Sequence, residues 1–428
     1  MKLFEVIFIV VAVLGGSSRA NSTLNHCSEN NDDSNKLLIT KAQMNFALEL
    51  LRYSSQADET SLLSPFAIAS VMSLLYEGAR GETEREMGRV LSADQPKNAF
   101  GAYIECAIKN IHKQSKRNDY SLYYLTKFFV QQNSLKSDFK DITRRRYPYE
   151  LTQINFASPL QVKSIREIFI KWIKKSMNYG ARNIASITST QSLNLFNGIH
   201  FTDDWMYEFL PLNHILPFYS PRLRVTDMPM MERTAKFPYY ENQHMQAVSL
   251  PFKDSEMQML IILPKKTFDL AKFEDKLTGE ELFSYISALD SSHEITVTIP
   301  KFKYENQICL LNGLKRMGVQ SMFHESNDFS GIFEQRLFTM DDIRNHAYIK
   351  IDEKGINNEN SSMPVRNDMV MDKGEAFRAN HPFLYAIIDN HGTVLWIGRF
   401  TGKNRETIVE NSDDSMQCEE TPKKRQRL

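Results

Sequence analysis

The apolar pattern of this chain changes near residue 190, and the change limits the folds open to it. Before that point, apolar residues recur at helical spacing, as in residues 41–53 and 64–75. After it the spacing is two-fold: Ile295, Val297 and Ile299 alternate with threonines. Because helices lead, strands follow and no linker-like stretch divides them, the pattern predicts one α+β domain with large mixed or antiparallel sheets.

Several elements can be placed within this pattern. Residues 257–263 form a nearly continuous apolar run, which is typical of a strand buried on both faces. Residues 383–388 and 393–397 flank a turn at Asn390-His391-Gly392 and predict a hairpin. Helical patterns also cover 100–115 and 165–177, and Thr83-x-x-Glu86 predicts a capping box at the start of a short helix.

Composition argues for a large core and against a nucleic-acid partner. Hydrophobic residues make up 42% of the 428 residues and aromatic residues 11%, which excludes a disordered chain. The 52 basic and 52 acidic side chains balance to a net charge of +0, whereas phosphate binding needs clustered positive charge. Four cysteines, at positions 27, 106, 309 and 418, are too few for a disulfide framework and too scattered for a zinc site.

The N-terminus has the features of a secretory signal peptide over residues 1–20. Lys2 precedes a short apolar run, and Ser18-Arg19-Ala20 supplies small residues for cleavage. A membrane anchor is disfavoured because the run is short and contains Glu5, and no later stretch is long enough to span a bilayer. We therefore expect a secreted, extracellular protein with no membrane partner.

Polar segments flank the body of the chain. Residues 21–38 form a polar N-terminal extension, and Asn21-Ser22-Thr23 within it is a glycosylation acceptor. Residues 405–428 form a polar C-terminal tail that ends in a basic run. A nuclear signal is one interpretation of that run, but the signal peptide contradicts it, and a solvated tail is preferred. The folded domain is predicted to cover residues 39–404.

The motifs of common enzymes are missing. The chain has no Gly-x-Ser-x-Gly elbow, no phosphate-binding glycine loop and no His-Glu-x-x-His pair. We therefore predict that the protein is not an enzyme and that it uses neither a metal nor a cofactor.

Residues 355–374 stand out as a long polar segment between two strand-like runs. The segment lacks apolar periodicity, and loops of this length inside compact domains are usually functional. On physical grounds alone it is an exposed, protease-accessible loop.

A set of motifs follows in order along residues 41–404. The motifs are Ser64-Pro65 with Ile68, Gly78-Ala79-Arg80-Gly81-Glu82-Thr83, Asn197 with Phe201 and Trp205, Met228-Pro229-Met230-Met231, Asp328-Phe329-Ser330-Gly331-Ile332, Ile351-Asp352-Glu353-Lys354-Gly355 and Phe377-Arg378-Ala379-Asn380-His381-Pro382-Phe383-Leu384. Each motif is weak alone, but the set at this spacing is specific, and with it the chain resembles the serpin family. The sequence as a whole is similar to secreted nematode members of that family.

The resemblance implies a serpin fold, with helices on large sheets and an exposed reactive-centre loop. It also implies that a serine protease attacks the loop, and that the loop then inserts as a new strand in the central sheet and traps the acyl-enzyme. Family spacing places the scissile bond at Met369-Val370, with Arg366 as the second choice of bait. The breach and shutter positions it implies are Trp205, Lys301, Ser64 and Asn197, and the hinge begins at Glu353 and Gly355. Lys301 is expected to pair with Glu353 beside Trp205.

The hinge departs from the inhibitory pattern, which has small residues after the glycine. Here Ile356, Asn358 and Asn360 are expected to point inward, and two unpartnered buried amides would each cost about 1–3 kcal/mol. Asn360-Ser361-Ser362 is also a glycosylation acceptor, and a sugar there would block insertion. In the shutter, Ala67 stands where serine is usual and Asn345-His346 where His-Lys is usual.

Two functions therefore compete. The preferred one is a secreted, monomeric inhibitor of extracellular serine proteases of the elastase, chymotrypsin or cathepsin G type, because Met369 suits their apolar primary pockets. The alternative is a non-inhibitory serpin that acts as a carrier, a decoy or a substrate, because the hinge is polar.

Overall fold

The computed structural model describes residues 5–12, 33–114, 121–131, 135–147, 149–155, 157–161, 163–164, 167, 191–212, 215–220, 224–334, 342–356 and 375–402. Its α-helices are α1 (Asp33–Ser54), α2 (Pro65–Gly78), α3 (Gly81–Ser92), α4 (Lys97–Gln114), α5 (Ser137–Arg146), α6 (Leu270–Lys276), α7 (Gly279–Ser287) and α8 (Leu311–Met317).

The strands follow the chain from one terminus to the other. They are β1 (Glu5–Ala12), β2 (Ser61–Leu63), β3 (Ser121–Gln131), β4 (Tyr149–Ile154), β5 (Gln191–Asp204), β6 (Leu210–Pro211), β7 (Leu216–Ser220), β8 (Arg224–Met228), β9 (Met230–Ala235), β10 (Tyr239–Glu241), β11 (Met245–Pro251), β12 (Met257–Pro264), β13 (Ile295–Pro300), β14 (Phe302–Cys309), β15 (Asp342–Ile351), β16 (Gly355–Ile356), β17 (Glu375–Arg378), β18 (Phe383–Asp389) and β19 (Val394–Phe400).

The largest sheet has a gap between β5 and β15 that two other strands share. β14 and β15 lie on one side of this central gap, and β5, β3 and β4 lie on the other. β1 enters the gap parallel to both neighbours. β16 enters it antiparallel to both, at the opposite end. The central gap therefore holds β1 at one end and β16 at the other.

A second sheet, in the order β10-β11-β12-β18-β19-β2, holds much of the core. Every residue of β18 and β19 is buried, which explains their continuous apolar sequences. Phe302 stacks on Phe400 with ring centroids 4.6 Å apart, and this contact joins the second sheet to the first. Smaller sheets are formed by β17-β13-β9-β6 and β7-β8.

Helix α2 shows how local sequence and core packing agree. Ser64 caps it by accepting a hydrogen bond from the Ala67 N–H at 3.4 Å, and Pro65 occupies the first turn, where its missing N–H costs nothing. All of its residues except Glu77 are buried. The helix lies between the two large sheets, since it contacts β5 and β1 on one side and β19 on the other.

The predicted α+β class is confirmed, as are the buried strand at 257–263 and the hairpin after residue 383. The predicted order of elements is too simple, because β2, β3 and β4 precede residue 190 and α6, α7 and α8 follow it. Helix α1 begins at Asp33, so the last residues of the expected extension 21–38 are helical. The helix predicted at 165–177 falls almost entirely outside the described residues.

The predicted capping box at Thr83 and Glu86 is wrong. Helix α3 starts two residues earlier, at Gly81, and both side chains make long-range contacts instead. Thr83 accepts a hydrogen bond from the Asp328 N–H at 3.0 Å, and Glu86 accepts from the N–H groups of Gln320 and Ser321. A capping box does form at Thr278 and Glu281, at the start of α7.

Candidate functional site

The loop that begins at Gly355 starts inside the central gap. Ile356 pairs with Ile351 on β15 and with Asp203 on β5, while Gly355 pairs with Asp204. Ile356 is completely buried, so the sequence-based expectation that its side chain points inward agrees with the structure. A Cβ on Gly355 would lie 2.1 Å from the Asp203 carbonyl oxygen, and only glycine fits so close an approach.

Asp352 makes the turn from β15 into β16. Its N–H donates to the Gly355 carbonyl at 3.1 Å, and its carboxylate accepts from the Lys354 N–H at 3.1 Å. Such side-chain bonds to nearby backbone groups are the reason aspartate favours turns. The same carboxylate pairs with Lys350 at 2.9 Å. From the sequence, Asp352 was named only as part of the motif at residues 351–355, although an acidic residue three positions before a glycine is a recognisable turn signal.

Trp205 holds the backbone of this turn. Its indole N–H donates to the Asp352 carbonyl at 2.8 Å, and its backbone N–H donates to the Lys354 carbonyl at 2.7 Å. The ring is stacked on Phe252, with centroids 4.7 Å apart. The indole is buried, stacked on Phe252 and hydrogen-bonded to Asp352. It therefore positions the first residues of the loop against the end of β5.

The ion pair between Lys301 and Glu353 lies next to this tryptophan. The Lys301 Nζ is 2.8 Å from the Glu353 Oε1, and the Glu353 side chain is only 9% exposed. The Glu353 carbonyl also accepts the Phe209 N–H at 2.9 Å. The Lys301 side chain is 32% exposed, so solvent partly screens the pair. The buried Glu353 end, held by both the ion pair and its backbone hydrogen bond, sets the register of the hinge.

Asp203 places a buried carboxyl group at the same end of the gap. Its Oδ1 accepts from the N–H groups of Asp204 at 2.8 Å and Asp254 at 3.4 Å, and the Ser255 side chain also hydrogen-bonds the carboxyl group. Burial raises the pKa of Asp203 to about 6, and the charge of Asp254 adds to this, against the hydrogen bonds that favour the ionised form. This residue was not singled out from the sequence.

This raised pKa predicts a pH-dependent stability. Folding favours the protonated carboxyl, so the stabilisation from Asp203 is complete below about pH 4 and is lost as the pH rises through about 6. Asp203→Asn, which cannot ionise, should gain about 1–2 kcal/mol of unfolding free energy relative to the native chain between pH 4 and 7. Urea unfolding at a series of pH values measures this, with Asp138→Asn as the control for loss of one carboxylate. If the unfolding free energies of the native chain and of Asp203→Asn change with pH in parallel, the raised pKa of Asp203 is contradicted.

Ser64 and Asn197 do not lie at the hinge. Ser64 caps α2, and Asn197 lies within β5. Ser64 is fully buried and donates to the Leu395 carbonyl at 2.8 Å, so it links α2 to β19. The backbone of Asn197 pairs with Thr126 on β3 and with Val10 on β1. The pairings of Asn197 hold β5, which borders the central gap, between β3 and β1.

Ser70 and His346 form side-chain hydrogen bonds at or beside the shutter positions that depart from the family pattern. Ser70 donates to the carbonyl of Ala67 at 2.8 Å and accepts from Tyr124, and it lies one turn from the usual serine position. His346 lies 2.7 Å from the Glu305 carboxylate. Asn345 is fully buried.

Several predicted site residues cannot be placed. Met369, Val370, Asn358, Asn360 and Asn21 lie outside the described residues, so their expected roles remain predictions. Within the described ranges, no group of three or more histidine, cysteine, aspartate or glutamate side chains could hold a metal ion. In the same ranges, no helix has both the length and the apolar character needed to cross a membrane.

Comparisons with known proteins agree with this geometry. A family model described as "Serpin (serine protease inhibitor)" matches residues 41–402. The chain is 28% identical over 396 residues to intracellular coagulation inhibitor 2 of Tachypleus tridentatus, covering 88% of this chain and 93% of that protein. It is 26% identical over 388 residues to a leukocyte elastase inhibitor of Sus scrofa, covering 85% and 99%.

The solved structures show the same fold. A crystal structure of maspin superposes with a TM-score of 0.75 at 24% identity, covering 86% of this chain and all of that one. The chain therefore belongs to the serpin family. The family description, serine protease inhibitor, is consistent with the prediction that the protein is not an enzyme.

Proposed function

We propose that the protein is a secreted, monomeric inhibitor that traps extracellular serine proteases through the loop that follows Gly355. The observation that carries this proposal is the position of β16, where Ile356 pairs with both walls of the central gap and Gly355 pairs with β5. Cleavage of the loop would free its N-terminal part to continue this strand, and each added residue would gain ladder hydrogen bonds. Strand addition would supply the free energy that holds the protease.

The bait is the bond between Met369 and Val370. A methionine side chain is flexible and apolar, so it fits the primary pockets of chymotrypsin-like, elastase-like and cathepsin G-like enzymes. The name of the Sus scrofa relative, leukocyte elastase inhibitor, supports this choice.

Secretion is supported by cysteine chemistry as well as by the apolar N-terminus. Cys106 and Cys309 both form disulfides, and disulfides persist mainly in oxidising compartments. Export through residues 1–20 would deliver the chain to such a compartment.

Mixing the purified protein with chymotrypsin and analysing the products on denaturing gels tests this function. We expect a complex that resists denaturant, together with some chain cleaved after Met369. Met369→Arg should reduce trapping of chymotrypsin by at least about tenfold, the equivalent of 1.4 kcal/mol, and create trapping of trypsin. Met363→Arg, the same change earlier in the loop, should leave chymotrypsin trapping intact. Equal behaviour of the two variants would disprove the assigned bond, and dependence on Arg366 would move it there.

A non-inhibitory function is the second candidate, and the sequence at residues 358–360 favours it. Asn358, Glu359 and Asn360 replace the small residues of inhibitory hinges, and burying their polar groups unpaired would slow insertion. A chain cut at Met369 but melting at the temperature of the intact chain would support this function. Replacing all three residues with alanine should raise the trapped fraction if slow insertion is the cause.

A further inference from the structure

The central gap already contains an occupant. Six residues of β1 pair with β15, from Ile7 opposite Asp342 to Ala12 opposite Ala347. On the other wall, β1 pairs with β5 up to Ala12 opposite Ile199. This segment is thus a central strand with a ladder on each side.

We infer that residues 5–12 and the cleaved loop compete for the central gap, and that a chain retaining its N-terminal segment is locked against loop insertion. This inference rests on the proposed function, because it concerns the gap that an inhibitory loop would enter.

The two strands in the gap run toward each other from opposite ends of the sheet. β1 ends at Ala12, opposite Ala347, whereas β16 ends at Ile356, opposite Ile351. Only positions 348, 349 and 350 of β15 lie between these two pairs, and positions 200, 201 and 202 lie between the matching pairs on β5. The loop can therefore add about three residues to β16 before its backbone meets the end of β1.

The gap suits the N-terminal segment better than it suits the start of the loop. Residues 6–12 read Val-Ile-Phe-Ile-Val-Val-Ala, which are residues with high strand propensity or small size. Helix α2, which is buried and mostly apolar, lies against β1. The loop would instead bring Asn358, Glu359 and Asn360 into the gap, with the cost of burying polar groups.

This competition makes removal of residues 1–20 an activating step. A chain that keeps these residues has β1 in the central gap, so the gap has room for only about three further residues of the loop. A chain that has lost them has an open gap below β16. Export and readiness to inhibit would then depend on the same cleavage.

The test uses the full-length chain made without export, so that residues 1–20 are retained and their presence is verified by mass. Val10 pairs with Asn345 on β15 and with Asn197 on β5. Val10→Pro removes a backbone donor from this central strand and should expel it. Ser17→Pro introduces the same residue outside the strand and is the matched control.

We expect Val10→Pro to lower the melting temperature by about 5–10 °C and to increase the chymotrypsin trapped by at least about tenfold. Adding a synthetic peptide of residues 5–12 to the Val10→Pro chain should refill the gap and reverse both changes. Ser17→Pro should behave as the native chain in each measurement.

The outcomes separate this inference from the proposed function. If Val10→Pro lowers the melting temperature and the peptide restores it, but no variant traps chymotrypsin, the gap binds residues 5–12 and the inhibitory function is wrong. If Val10→Pro melts with the native chain and the peptide does not bind, the inference is overturned, whatever the trapping result.

Discussion

Arg399→Met should lower the free energy of unfolding by about 3–5 kcal/mol at pH 7. The Arg399 side chain is completely buried and pairs with the carboxylate of Glu274, which is itself 1% exposed. It also donates to the carbonyl groups of Leu51, at 3.2 Å, and Gln56. Removing the guanidinium would leave a buried carboxylate and two carbonyl groups without their donor, and an uncompensated buried charge is costly. Urea unfolding measures the loss.

The pH dependence of this loss has a definite sign. Burial raises the pKa of Glu274, although the charge of Arg399 opposes the rise. Without the arginine, burial acts unopposed by this charge, and folding favours the protonated carboxyl more strongly. The destabilisation should therefore be smaller at pH 5 than at pH 8, because stability from a raised pKa is lost as the pH increases.

The double variant Arg399→Met with Glu274→Leu is the decisive comparison. Glu274 Oε2 and Arg399 Nε have no hydrogen-bond partner among the described residues, so the native pair is incompletely satisfied. Replacing such a pair by apolar residues is often neutral, and we expect the double variant to recover most of the lost stability. A double variant less stable than Arg399→Met alone would contradict this account.

Gly355→Ala should remove the hinge strand from the central gap. The new Cβ would lie 2.1 Å from the Asp203 carbonyl oxygen and 2.8 Å from the Asp204 Cα, which are backbone atoms that cannot move aside easily. We expect a stability loss of about 1–3 kcal/mol and a trapped fraction of chymotrypsin at least about tenfold lower. The loop itself should still be cleaved, since its bait is unchanged.

Lys354→Ala provides the control for this prediction. It keeps the backbone contact from the Lys354 carbonyl to the Trp205 N–H and adds no atom near β5. Gly355→Ala should melt at a lower temperature and trap less chymotrypsin on denaturing gels than Lys354→Ala. If Gly355→Ala traps as much protease as Lys354→Ala, the close approach at residue 355 does not control insertion.

Much of the fold could be predicted from the sequence because its signals are local. The cap at Ser64, the apolar run of β12 and the turn of the β18–β19 hairpin each lie within a few neighbouring residues. The box at Thr83 and Glu86 had the right spacing, but their hydrogen bonds go to Asp328 and the 320–321 segment. A local motif cannot reveal which distant N–H group folding brings closer.

The candidate site, like the fold, was predicted from the sequence only in part. The pair between Lys301 and Glu353 was implied by resemblance to a family, and the structure contains it. Asp203 could not be found from sequence, because its significance depends on burial and on its position opposite Ile356. The segment at residues 5–12 has an apolar sequence that suits both a signal peptide and a strand, and only the structure shows its pairing with β5 and β15.

The pairing of β2 with β19 has a consequence for synthesis of the chain. Leu63 lies opposite Ile397, so 333 residues separate these two positions. A ribosome adding about 5–20 residues each second needs roughly 15–70 s to make that stretch. Throughout this time the edge of β2 has no strand to cover it, and α2 lacks its contacts to β19. The core of the second sheet must therefore close after translation is nearly complete.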